Sequence, residues 1–239
     1  MTILDRLLLL GPLDAVALVL IYLAWLGLTY RIEHPTMGQP SVTILMVEYR
    51  RIWLKEFVTR EPRIFDAQIL ANLRQGTAFF ASGCMIAIGG VLALVGNIEP
   101  LQIVAEDFIA AGLPAVVLQF KLLIVVLFLT HGFLKFVWAN RLFGYCAVVM
   151  AAVPNDKTDP VCYPRAAQAA EINIRAAWNF NRGLRSIYFS LGSLAWLLGP
   201  IALIIATCLV SFIIWQREFS SVARSILEKS DIAEGDTDL

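Results

Sequence analysis

The amino-acid sequence predicts an all-α protein, a polytopic membrane helical bundle with about four transmembrane helices and two cytoplasmic surface helices. Of its 239 residues, 59% are hydrophobic and 16% are charged, whereas an average soluble domain has about 25% charged residues. The apolar residues form long stretches, and the basic residues are concentrated in two of the segments between them. A single water-soluble core cannot bury this much apolar surface, so lipid is the expected surrounding.

Four stretches have roughly the 20 apolar residues that a helix needs to cross a bilayer. They comprise residues 13–30, 77–96, 118–138 and 188–215, within one membrane domain of residues 1–239. Apolar residues continue past Ala17 to Leu28, so we expect the first span to be retained and not removed as a signal peptide. The fourth span contains Gly199-Pro200, and because proline removes a backbone hydrogen bond, we expect a kink there.

Basic residues alternate between the connecting segments. Residues 31–76 contain seven, residues 97–117 contain none, and residues 139–187 contain six. Since lysine and arginine are retained on the cytoplasmic side during insertion, both basic segments are predicted to be cytoplasmic and both termini to lie outside. The tail, residues 219–239, is polar and acidic, and we expect disorder at its end.

Each cytoplasmic segment is predicted to contain a helix. Between residues 41 and 58, apolar side chains recur at helical spacing, which is typical of a helix lying on the membrane surface with Trp53 at headgroup depth. A second helix is predicted to start near Asp66 and to continue into the second span. In the other segment, turn residues at 154–160 precede Pro164, which can occupy the first turn of a long helix.

One face of the second span has small residues, Gly83, Ala87 and Gly90. Small side chains at this spacing allow another helix to approach closely. We therefore expect this face to be an interhelical contact.

No catalytic motif is present, and the chain has only two histidines. The four cysteines are far apart in the sequence, without the short spacing of a zinc or redox site. Nineteen basic residues balance nineteen acidic ones, so no polycationic surface indicates nucleic acid as a partner. We therefore expect no catalytic residue, no metal and no cofactor.

Four ionisable residues fall within the predicted spans: Asp14, Lys121, His131 and Lys135. Such groups are costly in a bilayer unless they are paired or hydrated. Asp14 could interact with the positive end of its helix dipole, or it could pair with Lys121. His131 and Lys135 are one turn apart, as in a proton relay, but Lys135 could equally extend to the headgroups while His131 bonds a neighbouring helix.

Basic and aromatic residues gather at the predicted cytoplasmic ends of the spans. Arg175, Trp178, Arg182 and Arg185 are spaced to form one stripe on a helix, which favours phosphate headgroups or an acidic partner as ligand. Basic residues are, however, expected beside any cytoplasmic loop. The candidate residues for lipid or partner binding are Arg50, Arg51, Trp53, Arg74, Arg175, Trp178, Asn181, Arg182 and Arg185.

Several blocks of the chain resemble a known membrane family. The blocks are Tyr30-Arg31-Ile32, residues 47–54 (VEYRRIWL), 72–82 (NLRQGTAFFAS) and 181–190 (NRGLRSIYFS), followed by Trp196 and Gly199-Pro200. They are similar to those of the family known as domain of unknown function 599, over nearly the whole chain. The resemblance implies a small multi-span membrane protein of bacteria and plants, here in a bacterial cytoplasmic (inner) membrane, and it implies no activity.

We expect a non-enzymatic protein that binds membrane lipid, another membrane protein or a second copy of itself through its basic cytoplasmic face. One alternative is an oligomeric transporter or channel that uses Asp14, Lys121, His131 and Lys135. Another is an intramembrane enzyme at the cytoplasmic rim, with His34, Arg31, Asn181 and Arg182.

Overall fold

The computed structural model describes residues 10–35, 38–100 and 114–233, with side chains as far as residue 228. Over these residues the protein is all-α, as predicted. The helices are α1 (Pro12–Glu33), α2 (Val42–Glu56), α3 (Ile64–Gly96), α4 (Ala115–Ala151), α5 (Cys162–Leu194), a 3-10 helix (Ala195–Leu198), α6 (Pro200–Phe219) and α7 (Val222–Ala233).

Four of the described helices are long and apolar enough to cross a membrane: α1, α3, α4 and the segment that starts with α6, Pro200–Glu228. In α1 and α3, only 11% of the most apolar stretch is buried inside the protein. Because the remaining apolar surface needs a surrounding other than water, the structure indicates a multi-pass membrane protein.

The helices of the two basic segments are present. The hydroxyl of Ser41 caps α2 by accepting from the backbone N–H of Ile44, and it donates to the carbonyl of Ile32 over 2.7 Å. Helix α3 runs without a break from Ile64 into the predicted second span, and α5 has Pro164 in its first turn.

The fourth span differs from the prediction. Helix α5 ends at Leu194, and the short 3-10 helix leads to Gly199, whose φ of 122° is open to glycine but strained for other residues. Pro200 then takes the first position of α6, where its missing N–H costs nothing. The Gly-Pro pair therefore separates two helices where the sequence predicts one kinked helix.

The C-terminal tail begins with helix α7, which was not predicted from the sequence. Arg224 of α7 donates to the carbonyl of Pro40 over 3.0 Å and pairs with Glu228. The expected disorder concerns residues 234–239, which lie outside the described residues.

The expected contact at Gly83 and Gly90 is absent from the described part of the chain, where nothing lies within 4 Å of the space a side chain would fill. A close approach occurs instead at Gly132 of α4, where an added Cβ would lie 3.4 Å from the carbonyl oxygen of Gly183 in α5. Small residues permit close packing, but the tertiary structure decides which of them are used.

The chain forms two compact units. The first comprises Met1–Thr29, Ser82–Phe133 and Gly183–Ile214, and the second comprises Tyr30–Ala81, Leu134–Arg182 and Trp215–Leu239. In the first unit, Phe128 packs against the rings of Tyr22, Trp25 and Phe189. In the second, parts of α2, α3, α4 and α5 share a core that includes Leu54, Leu70, Phe143, Met150 and Ala169.

Candidate functional site

The second unit has a groove between the start of α3 and the end of α4, called here the α3–α4 groove. Its volume is about 370 Å³, which falls in the range of small-ligand sites. Its lining residues are Phe57, Arg63, Ala67, Leu70, Ala71, Arg74, Ala147, Met150, Ala151 and Asn155. The groove is therefore mainly apolar and carries two guanidinium groups.

Arg63 is held in the groove by neutral partners. Its Nη1 donates to the carbonyl of Val153 over 3.0 Å, and its Nη2 donates to the carbonyls of Val58 and Pro154 over 3.2 and 3.0 Å. The guanidinium also lies over the ring of Phe57, 4.6 Å from its centroid. Carbonyls satisfy the N–H groups but leave the net positive charge in place.

Arg74 supplies the second charge of the groove. Its backbone carbonyl accepts from Thr77 and from the amide of Asn140, which fixes this turn of α3 beside α4. Its side chain is exposed. No carboxylate is among the groove-lining residues that the structure describes, so the lining has a net positive charge and is open to an anionic ligand.

A second cavity, called here the α2–α5 cavity, is smaller, at about 250 Å³. It is lined by residues of α2, α5 and the end of α6, including Arg50, Trp178, Asn181 and Glu218. Burial lowers the pKa of Arg50. The lining of this cavity therefore contains one basic residue, Arg50, and one acidic residue, Glu218.

A third cavity, of about 360 Å³, contains Arg51, Lys55 and Glu171 in its lining. Arg51 is already paired, with Glu171 at 2.9 Å and with Glu48 at 3.7 Å. Of the three cavities, only the α3–α4 groove combines two basic residues with a lining free of carboxylates in its described residues.

The predicted basic stripe on α5 does not form one exposed surface. Arg175 is exposed, Trp178 lines the α2–α5 cavity and Arg185 is buried. Arg182 donates from Nε to Glu33 over 2.8 Å, and this carboxylate, only 5% exposed, raises the pKa of Arg182. Helical spacing describes the position of a residue on one helix, whereas the neighbouring helices determine its exposure.

Trp53, which the sequence places at headgroup depth, is engaged within the protein. Its indole N–H donates to Asp66 over 2.7 Å, and Arg60 pairs with the same carboxylate. Asp66 is fully buried. These contacts tie α2 to the first turn of α3.

In the first unit, Asp14 and Lys121 come together around Trp196. The ammonium group of Lys121 lies 4.0 Å from the carboxylate of Asp14 and donates to the carbonyl of Trp196 over 2.9 Å. The indole N–H of Trp196 donates to Asp14 over 2.6 Å. Both possibilities for Asp14 are realised, because it lies in the first turn of α1 and also pairs with Lys121. The structure adds Trp196, which the sequence named only within the resemblance to the family and not as a contact of either residue.

The other two intramembrane polar residues also have neighbours within their own units. His131 Nδ1 lies 2.7 Å from the hydroxyl of Ser186, and Trp25 packs edge-on against the imidazole ring. Lys135 is within electrostatic reach of Glu33 and Arg182. None of the four candidates lines any of the three cavities above.

His34 is exposed and stacks on Tyr30 at 4.1 Å, with Nδ1 3.0 Å from the carbonyl of that residue. Arg31 lies over the rings of Trp215 and Phe219. Among the described residues, no group of three histidine, cysteine, aspartate or glutamate side chains could hold a metal ion.

Sequence reasoning counted Arg63 among the basic residues of its segment but did not nominate it for the site. It comes directly before α3, and its backbone carbonyl accepts from the N–H of Ala67 over 3.2 Å. Arg63 and Arg74 are 11 residues apart, about three helical turns, so they share one face with Ala67, Leu70 and Ala71. This spacing was the signal in the sequence that could have found Arg63.

Neither a curated protein nor a solved structure matches the chain. A family described as "Protein of unknown function, DUF599" matches residues 16–223, which is most of the chain and covers α1 to α6 completely but for the first turn of α1. The chain therefore belongs to the DUF599 family of proteins of unknown function.

Proposed function

We propose that this protein is a non-enzymatic membrane protein that binds the headgroup of an anionic lipid in the α3–α4 groove. The observation that supports this proposal is the composition of the groove lining. Arg63 and Arg74 are its charged residues, most of the others are apolar, and none of the described lining residues is a carboxylate. A groove with this charge favours an anion over a zwitterion or a cation.

The two arginines have different roles in the proposal. Arg63 is fixed by three backbone carbonyls, so it provides a positive potential with little freedom to move. Arg74 is exposed and can turn its planar guanidinium towards a phosphate and bind it with two parallel hydrogen bonds. Leu70 and Met150 offer apolar contact to the glycerol and the first methylene groups of the lipid.

The proposed location of the groove is the cytoplasmic side of a bacterial inner membrane, with both termini outside. The support is the charge alternation of the connecting segments, seven, none and six basic residues. The second unit, which includes the groove, contains most of both basic segments. An anionic inner leaflet would face this surface.

The test uses protein purified in a mild nonionic detergent and measures thermal stabilisation by added phosphatidylglycerol and by phosphatidylcholine. Wild-type protein should be stabilised more by the anionic lipid. Arg74→Gln should weaken the response by about 1 kcal/mol, or about fivefold in apparent affinity, as expected for one basic residue near a lipid phosphate. Mass spectrometry of lipids that copurify should show the same preference.

Arg141→Gln is the matched control, since Arg141 is exposed, has the same charge and does not line the groove. It should leave the response near the wild-type value. Ala71→Leu fills the groove without changing its charge and should also weaken lipid binding. Equal responses to both lipids, or equal losses in R74Q and R141Q, would refute the groove as the site.

A further inference from the structure

The α2–α5 cavity has a composition that differs from that of the groove. Its lining includes Arg50 of α2 and Trp178 of α5. Three further lining residues are polar, and the others are apolar: Thr43, Asn181 and Glu218, and Val42, Met46, Val47, Ile174 and Ala177. All its lining residues belong to the second unit.

The two charged side chains of this cavity, Glu218 and Arg50, differ in their partners. Both carboxylate oxygens of Glu218 accept from Thr43, one from the backbone N–H over 3.1 Å and one from the hydroxyl over 3.0 Å. Arg50 donates from Nη1 to the neutral amide of Asn173, and no carboxylate of the described residues lies within ion-pair distance of it. Arg50 therefore retains an uncompensated charge in a largely buried place.

Trp178 contributes a donor that has no acceptor in the described part of the chain. Its indole N–H is shielded from solvent and has no acceptor among the residues that the structure describes. A buried donor without an acceptor is unfavourable, and an occupant with an oxygen acceptor would remove this cost.

We propose that the α2–α5 cavity binds a small monocarboxylate with an apolar body. The carboxylate would accept from Arg50 and from the indole N–H of Trp178, while the apolar body lies against Val47, Ile174 and Ala177. Because Glu218 keeps a negative charge in the same lining, a dianion such as a phosphate monoester is disfavoured relative to a monoanion.

The cavity volume limits the size of the ligand. An apolar cavity of about 150 Å³ holds benzene, so the 250 Å³ found here holds about ten non-hydrogen atoms by proportion. Octanoate has this size and is a suitable probe. This site is independent of the lipid site in the α3–α4 groove, because the two share no lining residue.

The experiment measures stabilisation of the full-length protein by octanoate at a fixed concentration of nonionic detergent. Octan-1-ol is the matched neutral ligand, since it has the same chain and reports partition into micelles. Octanoate should stabilise the wild-type protein clearly more than octanol. In Arg50→Gln, the concentration needed for half-maximal stabilisation should rise about tenfold or more, as a charge-assisted hydrogen bond is lost.

Trp178→Phe keeps an aromatic ring but removes the N–H, and it should raise that concentration about fivefold. Arg51→Gln is the control, because Arg51 is adjacent in sequence but pairs outside this cavity, and it should bind as the wild type does. Ala177→Leu fills the cavity without removing a polar group, so it tests the site even if Arg50→Gln does not fold.

Unchanged octanoate binding in A177L would overturn the proposal, as would equal stabilisation by octanoate and octanol. Stabilisation by inorganic phosphate but not by octanoate would also overturn it. Arg74→Gln should leave the octanoate response intact, so failure of the lipid proposal and failure of this one are distinguishable.

Discussion

At the residue scale, the first unit has a connected polar group that consists of Asp14, Lys121 and Trp196. Lys121 is only 3% exposed, although it carries a charge in an apolar span. Asp14 compensates this charge, and Trp196 completes the group by donating to one partner and accepting from the other. The contacts account for these two ionisable residues without a transport pathway.

This arrangement predicts an asymmetry between two substitutions. Asp14→Ala leaves the buried ammonium group of Lys121 without a counterion and should lower the free energy of unfolding by about 3–5 kcal/mol. Lys121→Met removes the charge but keeps an apolar chain of similar length, so its cost should be clearly smaller. Unfolding by titration with a denaturing detergent measures both values.

The double variant Asp14→Ala with Lys121→Met should be more stable than Asp14→Ala alone, since no buried cation remains. If Lys121→Met proved as destabilising as Asp14→Ala, the charge compensation described here would be wrong.

At the element scale, the periodicity of the sequence predicted α2, and turn residues followed by Pro164 predicted the start of α5. The continuity of α3 was predicted from a stretch without glycine or proline. The sequence pattern did not predict the break between helices in the fourth span. Residues 188–215 are apolar throughout most of their length, and hydropathy alone does not distinguish one kinked helix from two helices. The break depends on the backbone of Gly199, which has a φ of 122° and a ψ of 170°.

Gly199→Ala should therefore destabilise the protein by about 1–3 kcal/mol, because a side chain is strained in this backbone region. Gly83→Ala is the matched control, since Gly83 is helical and has open space around it. That change should be neutral or slightly stabilising, by up to about 1 kcal/mol. Thermal unfolding in the same detergent compares the two, and a neutral Gly199→Ala would contradict the assigned break.

At the scale of the whole molecule, the four long apolar helices agree with the predicted multi-pass membrane protein. The orientation in the membrane is a proposal from the loop charges. The basic segments 31–76 and 139–187 should be on one side, and the segment 97–117, which contains no lysine or arginine, should be on the other.

Reporter fusions test this orientation. Alkaline phosphatase should be active when fused near Glu106 and inactive when fused near Asn155, and a fluorescent protein that folds only in the cytoplasm should show the reverse. A fusion after Thr59 serves as a second cytoplasmic position. Activity of alkaline phosphatase at both Glu106 and Asn155 would contradict the topology.

The candidate site was only partly predictable. Arg74 was nominated from its place at the end of a span. Arg63, three turns earlier on the same face of α3, was not, because the sequence does not show that the end of α4 lies beside this face and leaves a groove. Conversely, Arg182 was nominated for lipid and instead pairs with Glu33. An exposed and a paired arginine look alike in sequence, since the difference depends on which carboxylate folds beside them.

The sequence by itself determined the class of the protein, its family and the approximate positions of its helices. The class and the helix positions depend on local quantities, namely the length of apolar stretches, their periodicity and the charge of the segments between them. The family follows from particular blocks of residues along the chain. Only the tertiary structure decided which ionisable side chains have a partner of opposite charge. It also decided where the α3–α4 groove and the α2–α5 cavity lie, and that the fourth span begins at Pro200. Those features depend on which residues from distant parts of the chain become neighbours, and neither composition nor spacing specifies them.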